Sequence, residues 1–126
     1  MIYPELHYGR DALVGVALFL TLLAKSGKTM TELRAQYPSY FISKNRIELT
    51  PDIDVDDVLS KIKAQYATEK VTDIDGVKID FATEWVHLRK SNTEPIIRIY
   101  SESSDEASAH RLAEKIISEI KRICKI

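Results

Sequence analysis

Hydrophobic positions divide the chain into two stretches of different character. Between Leu13 and Leu23 nearly every residue is apolar, interrupted only by Gly15 and Thr21. Asp11 stands where a helix N-cap belongs, and Gly27 where a left-handed residue would end the helix. Thr29 and Glu32 have the spacing of a capping box, which opens a short second helix through Gln36 that Pro38 stops. The apolar run Ala12 to Ala24 is shorter than the roughly 20 residues needed to span a bilayer, so a buried helix is expected and no membrane span. A helix that is apolar all round needs partners all round. Two helices without a preceding strand do not supply them. Residues 1–38 therefore read as the helical tail of a preceding domain whose sheet lies outside this sequence.

From Ser39 onward the periodicity changes. Phe41 to Leu49 is strand-like, and Thr50-Pro51-Asp52 is turn material. Val55, Val58, Leu59, Ile62 and Tyr66 line one face of a helix that Asp54 can cap. Val71 to Ile74 forms a short strand and Asp75-Gly76 is a hairpin signal. Val77, Ile79 and Phe81 then alternate with Lys78 and Asp80 at the strand period. Trp85 to Leu88 and Ile96 to Tyr100 supply two further strands, with Trp85 and Phe81 read as core. Asp105 can cap a final helix with Ala109, Leu112, Ala113, Ile116, Ile117 and Ile120 as its apolar stripe. Neighbouring hairpins imply an antiparallel sheet, and amphipathic helices imply one covered face. The expected fold is α+β: about four antiparallel strands covered on one face by two helices, in a self-contained domain over residues 39–126.

Composition narrows the possible functions. Of 126 residues 44% are apolar, and 18 Lys plus Arg nearly balance 19 Asp plus Glu, for a net charge of −1. Phosphate neutralisation by a nucleic-acid binder needs a basic excess, which is absent here. Cys124 is the one cysteine, so no intrachain disulfide can form, and the composition suits a reducing cytoplasm. The N-terminus has no basic region followed by an apolar stretch and a small-residue cleavage site, so no secretory signal is read. The acidic run Asp52, Asp54, Asp56, Asp57 lacks the glycine and distal glutamate of a calcium loop and suits a helix N-terminus. No metal site is assigned.

The stretch with the most chemistry is Arg89-Lys-Ser-Asn-Thr-Glu-Pro-Ile-Ile-Arg98. Ser91 and Thr93 bring hydroxyls. Asn92 brings an amide and tolerates left-handed backbone geometry. Pro95 stiffens the exit. Successive backbone N–H groups of such a turn can form an anion nest, and Arg89 can add a planar fork suited to two phosphate oxygens. Arg98 starts from the partner strand, so its reach depends on register. The same residues also suit a hairpin loop that satisfies only its own backbone.

This stretch resembles the C-terminal phosphate-binding loop of the α-D-phosphohexomutases, the family of phosphoglucomutase, phosphomannomutase and phosphoglucosamine mutase. That loop reads Arg, any residue, Ser, Asn or Gly, Thr, often Glu, then Pro. The lead-in Asp75 to Phe81 followed by Trp85, and the closing helix, resemble the same domain, whose fold is like that of TATA-binding protein. Residues 1–38 resemble the tail of the family's third domain. The resemblance implies that Arg89, Ser91, Asn92 and Thr93 grip the phosphate on the sugar end that is not reacting. Arg98 is a further candidate, because some branches of the family carry an arginine at this spacing. It also implies a magnesium-dependent enzyme interconverting hexose 1- and 6-phosphates through a bisphosphate. The phosphoserine loop, the acidic magnesium loop and the sugar-recognition loop belong to earlier domains, so no catalytic residue is assigned here and the chain alone is expected to be inactive. A stand-alone, non-catalytic phosphosugar-binding module is the alternative. His7, Arg10 and His87 receive no role. The helix Leu13–Leu23 is expected to bury itself on the domain or against another copy of the chain.

Overall fold

A computed structural model describes residues 1–50 and 52–126. The chain divides into two compact units, Met1–Pro38 and Ser39–Ile126.

In the first unit, α1 (Ala12–Ser26) begins at Asp11, whose carboxylate accepts from the backbone N–H of Val14 at 3.0 Å. That N–H, with His7 beside it, holds the Asp11 carboxyl below its ordinary pKa. Gly27 ends α1 with φ 64°, the left-handed geometry glycine adopts readily. The second helix α2 (Met30–Arg34) carries the expected capping box between Thr29 and Glu32. The expected buried helix is not observed: α1 has no buried residue, and Leu13 is 79% exposed. Leu33 of α2 is the buried apolar side chain of this unit. A 15-residue apolar helix with only a five-residue helical companion lacks the partner surface its composition requires.

The second unit is one antiparallel sheet with two helices. Its strands are β1 (Phe41–Glu48), β2 (Lys70–Thr72), β3 (Val77–Asp80), β4 (Trp85–Lys90) and β5 (Ile96–Ser103). Their order is β1-β5-β4-β3-β2, five strands where about four were expected. β2 is the short one, pairing with β3 through three residues. It ends at Thr72, two residues earlier than expected, and leaves Ile74 92% exposed. Of the expected turn at Thr50-Pro51-Asp52, Pro51 lies outside the described residues.

Helix α3 (Val55–Gln65) connects β1 at one sheet edge to β2 at the other, and β2 to β5 then run as a meander. Asp54 caps α3 by accepting from the N–H groups of Asp56 and Asp57. Helix α4 (Glu106–Cys124) starts at Asp105, which accepts from Ser108 N–H at 2.8 Å. α4 packs on β5 and β1, while α3 packs on α4 and β4.

One sheet face is thereby sealed. Ile47, Val77, Ile79, Val86, Leu88, Ile97 and Ile99 point into the core against Val58, Leu59, Ile62, Leu112, Ile116 and Ile120 of the helices. Where α4 meets β5 the sheet supplies Ser101, which is fully buried and donates its hydroxyl to Ala109 O at 2.7 Å. Tyr66 closes the α3 end, with its ring edge-on to Phe81 at 5.7 Å and its hydroxyl on the Glu119 carboxylate. Burial, then the bond to Glu119, pushes the Tyr66 pKa up.

Within this unit neither α3 nor α4 lies on the opposite sheet face, and Trp85, expected in the core, stands there. Because Val86 and Leu88 take the core side of β4, strand alternation turns Trp85 outward with His87 and Arg89. Trp85 is half-buried on the open face, donates its indole N–H to Glu102 at 2.8 Å and carries the Lys78 ammonium over its ring. Phe81 does pack against the core.

Candidate functional site

The loop between β4 and β5 lies at one end of the sheet and is held at both sides. Ser91 N–H donates to Ile96 O at 3.1 Å, and Ile96 N–H donates to Glu94 O at 2.8 Å. Leu49 N–H, just beyond β1, donates to Pro95 O at 2.8 Å and fixes the loop exit to the neighbouring strand. Ser91 is buried, whereas Asn92, Thr93, Glu94 and Pro95 are exposed. The backbone is thus anchored while Asn92 and Thr93 present their polar groups to solvent.

Within the loop the hydroxyls are weakly committed. Thr93 N–H reaches Ser91 Oγ at 3.4 Å, and the Ser91 and Thr93 hydroxyl oxygens are also 3.4 Å apart. Both separations are at the long end of hydrogen bonding, so these donors can turn to a better acceptor at small loss. Left-handed geometry at Asn92 is not used: among the described residues the one non-glycine with positive φ is Lys125. The loop therefore offers exposed side chains and amides without an alternating-hand nest.

The register brings the arginines together. Arg89 on β4 and Arg98 on β5 are direct cross-strand partners, and both are exposed on the open face. Cβ atoms of such a pair lie about 4.5–5.5 Å apart, so both side chains start from one spot beside the loop. Arg89 Nη2 meets Asp75 Oδ2 of the β2–β3 turn at 2.9 Å, in a pair whose side chains are 47% and 66% exposed. An exposed pair of this kind contributes little and is readily exchanged. The same turn accounts for His87, whose Nε2 lies 2.6 Å from the Asp75 carbonyl oxygen. Its ring supports the turn.

Gly76 explains why that turn can lie so close. It has φ 78°, and a Cβ built on it would stand 2.1 Å from the Leu88 carbonyl oxygen on β4. Only a residue without a side chain lets Asp75 sit over the end of β4 beside Arg89. Lys90, next in sequence, takes the opposite side of the strand and donates to Asp56 Oδ2 of α3 at 2.6 Å. That bond raises the Lys90 pKa and keeps its charge away from the arginines.

Sequence reasoning missed Asp75 as the counterion of Arg89, although its hairpin position was legible. It also missed Arg46, which β1 places directly across from Arg98. The pairing of β1 with β5 spans half the chain and leaves no local signature. Among the described residues no group of three or more His, Cys, Asp or Glu could hold a metal ion. No helix among them is long and apolar enough to cross a membrane.

Comparison with known proteins agrees with this architecture. The family model "Phosphoglucomutase/phosphomannomutase, C-terminal domain" matches residues 46–119, from β1 into α4. A phosphoglucosamine/phosphogalactosamine mutase of Sulfurisphaera tokodaii is 39% identical over 124 residues, which cover 97% of this chain and 26% of that protein. A phosphoglucomutase/phosphomannomutase of Thermococcus kodakarensis is 35% identical, covering 90% of this chain and 25% of that one. A crystal structure of a phosphoglucomutase/phosphomannomutase family protein from Burkholderia thailandensis superposes with a TM-score of 0.51 over 72% of this chain and 19% of that chain, at 19% identity, and so shares the fold. The chain spans about a quarter of the length of the curated relatives it matches. With most of the sheet, α3, most of α4 and the β4–β5 loop inside the matched segment, the chain belongs to the phosphoglucomutase/phosphomannomutase family and carries that family's C-terminal domain.

Proposed function

We propose that residues 39–126 are the substrate-phosphate-binding domain of a phosphohexomutase, which interconverts hexose 1- and 6-phosphates through a bisphosphate. One observation carries this reading: the register sets Arg89 and Arg98 side by side, next to exposed donors from Asn92 and Thr93 and to the hydroxyl of Ser91. A phosphoryl group has enough oxygens for an arginine fork, two hydroxyls and backbone donors together. The domain holds the phosphate distal to the reacting one. Gripping that remote group fixes the sugar for a transfer carried out by residues of a longer chain, so binding energy here serves chemistry elsewhere. The described residues do not fit a magnesium site, and no step is assigned to the metal within them. Magnesium, the phosphoserine and the sugar-recognition loop belong to the remainder of that enzyme, which acts in the cytoplasm. Residues 1–38 are the end of its third domain, a reading supported by relatives that match this unit and the next in one alignment. That joint match favours the mutase over a stand-alone phosphosugar-binding module.

Calorimetric titration of the 126-residue chain tests the reading. Glucose 6-phosphate is expected to bind and glucose is not, with affinity falling as salt rises. Equal binding of both sugars, or none of either, contradicts it.

The exposed α1 carries a second expectation. Leu13, Val16, Leu18, Phe19, Leu20 and Leu22 are exposed apolar side chains of one helix, and in this chain on its own they are expected to drive self-association. Sedimentation velocity is expected to show concentration-dependent dimers or larger species that Leu18→Glu with Leu20→Glu disperses. A strictly monomeric chain at tens of micromolar contradicts it.

A further inference from the structure

A row of three arginines crosses the open face of the sheet. Arg46 on β1 is the register partner of Arg98 on β5, and Arg98 is the register partner of Arg89 on β4. All three are exposed. Adjacent strands lie about 4.8 Å apart, so three guanidinium stems leave the backbone within roughly 10 Å of one another. Like charges directly opposite in an antiparallel pair are destabilising, and here two such pairs follow in succession.

The chain's own carboxylates compensate only the ends of the row. Asp75 meets Arg89 at 2.9 Å, and Glu48 Oε1 meets Arg46 Nη2 at 3.4 Å with side chains 74% and 66% exposed. Among the described residues Arg98, in the middle, forms no ion pair. Arg46 is also close to the loop. With Glu48, Leu49, Glu94, Pro95 and Ile96 it lines a concavity of about 330 Å³ at the loop exit. The Leu49 N–H to Pro95 O bond fixes that end of β1 against the loop.

We propose that Arg46 is a third guanidinium ligand for the phosphoryl group of the substrate. This presupposes the reading of the Ser91–Pro95 loop as a phosphate cradle and extends that site onto β1. The ligand is a phosphate monoester, whose nearly two negative charges at neutral pH supply the counterion the row lacks. Arg46 leaves Glu48 for the phosphate, which gives up a long, solvent-exposed contact of little worth. Glu48 and Glu94 line the concavity itself and repel an anion there, so the phosphoryl group sits over the arginine row and the sugar extends past the loop.

The test is the affinity of the 126-residue chain for glucose 6-phosphate in four forms: unaltered, Arg46→Ala, Arg46→Lys and Arg89→Ala. Loss of one charge-assisted contact corresponds to roughly tenfold weaker binding. Arg46→Ala is expected to weaken binding about tenfold, Arg46→Lys less, and Arg89→Ala at least as much as Arg46→Ala. Arg46→Ala should melt no lower than the unaltered chain, because it removes a like-charge contact. Unaltered affinity in Arg46→Ala alongside a loss in Arg89→Ala overturns the role of Arg46 and leaves the loop assignment standing. Unaltered affinity in both variants, or no binding by the unaltered chain, overturns the loop assignment and this extension together.

Discussion

If the domain serves a phosphohexomutase as proposed, Arg89→Ala in such an enzyme is expected to lower kcat/KM for the hexose phosphate about a hundredfold and to leave the fold intact. Arg89 can offer a phosphate two charge-assisted hydrogen bonds, each worth about 1.5–3 kcal/mol before ordering is subtracted. Part of that is spent on releasing the exposed Asp75 carboxylate. A net loss of about 3 kcal/mol corresponds to roughly two powers of ten. The side chain projects from the open face and has no part in the core, so the variant should melt close to the parent. The loss should appear in kcat as well as KM, because the remote phosphate contact positions the reacting end. Steady-state kinetics check this, and parental kcat/KM in a correctly folded variant would remove Arg89 from the site.

Gly76→Ala is expected to destabilise the Ser39–Ile126 unit strongly. The new Cβ stands 2.1 Å from the Leu88 carbonyl oxygen, so either the turn or β4 must move. The left-handed backbone adds strain of about 1–3 kcal/mol. With the steric displacement the total is about 3–5 kcal/mol, a large share of the stability of an ordinary domain. Moving the turn also carries Asp75 and the His87 contact away from the end of β4, so the proposed phosphate site should weaken with the fold. Trp85, the one tryptophan of the chain, reports on this unit in denaturant unfolding. A midpoint and slope equal to those of the parent would show that the turn accommodates a side chain without movement.

Much of this architecture is legible locally. Asp11, Asp54 and Asp105 cap α1, α3 and α4 because a short carboxylate reaches the free N–H groups of the turn it precedes. The Thr29–Glu32 box and the Asp75-Gly76 hairpin depend on neighbours within a few positions, and so does the alternation of Val77 and Ile79 with Lys78. The loop residues Ser91, Asn92 and Thr93 could be named for the same reason. What was not legible depends on long-range pairing. No local pattern shows that β1 lies beside β5, so the placement of Arg46 across from Arg98 emerges only with the fold. Trp85 was expected in the core, while strand parity, set by Val86 and Leu88, puts it on the open face. The exposure of α1 is a related case: apolar content states that a helix needs partners, but not whether this sequence contains them.

The phosphate's place on the chain can be read directly. Backbone amide shifts of the isotopically labelled 126-residue chain, followed during titration with glucose 6-phosphate, locate it residue by residue. Saturating movement concentrated at Ser91, Asn92 and Thr93, with Arg89 and Arg98 following at the same concentration, is the predicted result. Movement confined to another surface, with those five amides still, would contradict the assignment of this loop as the phosphate cradle.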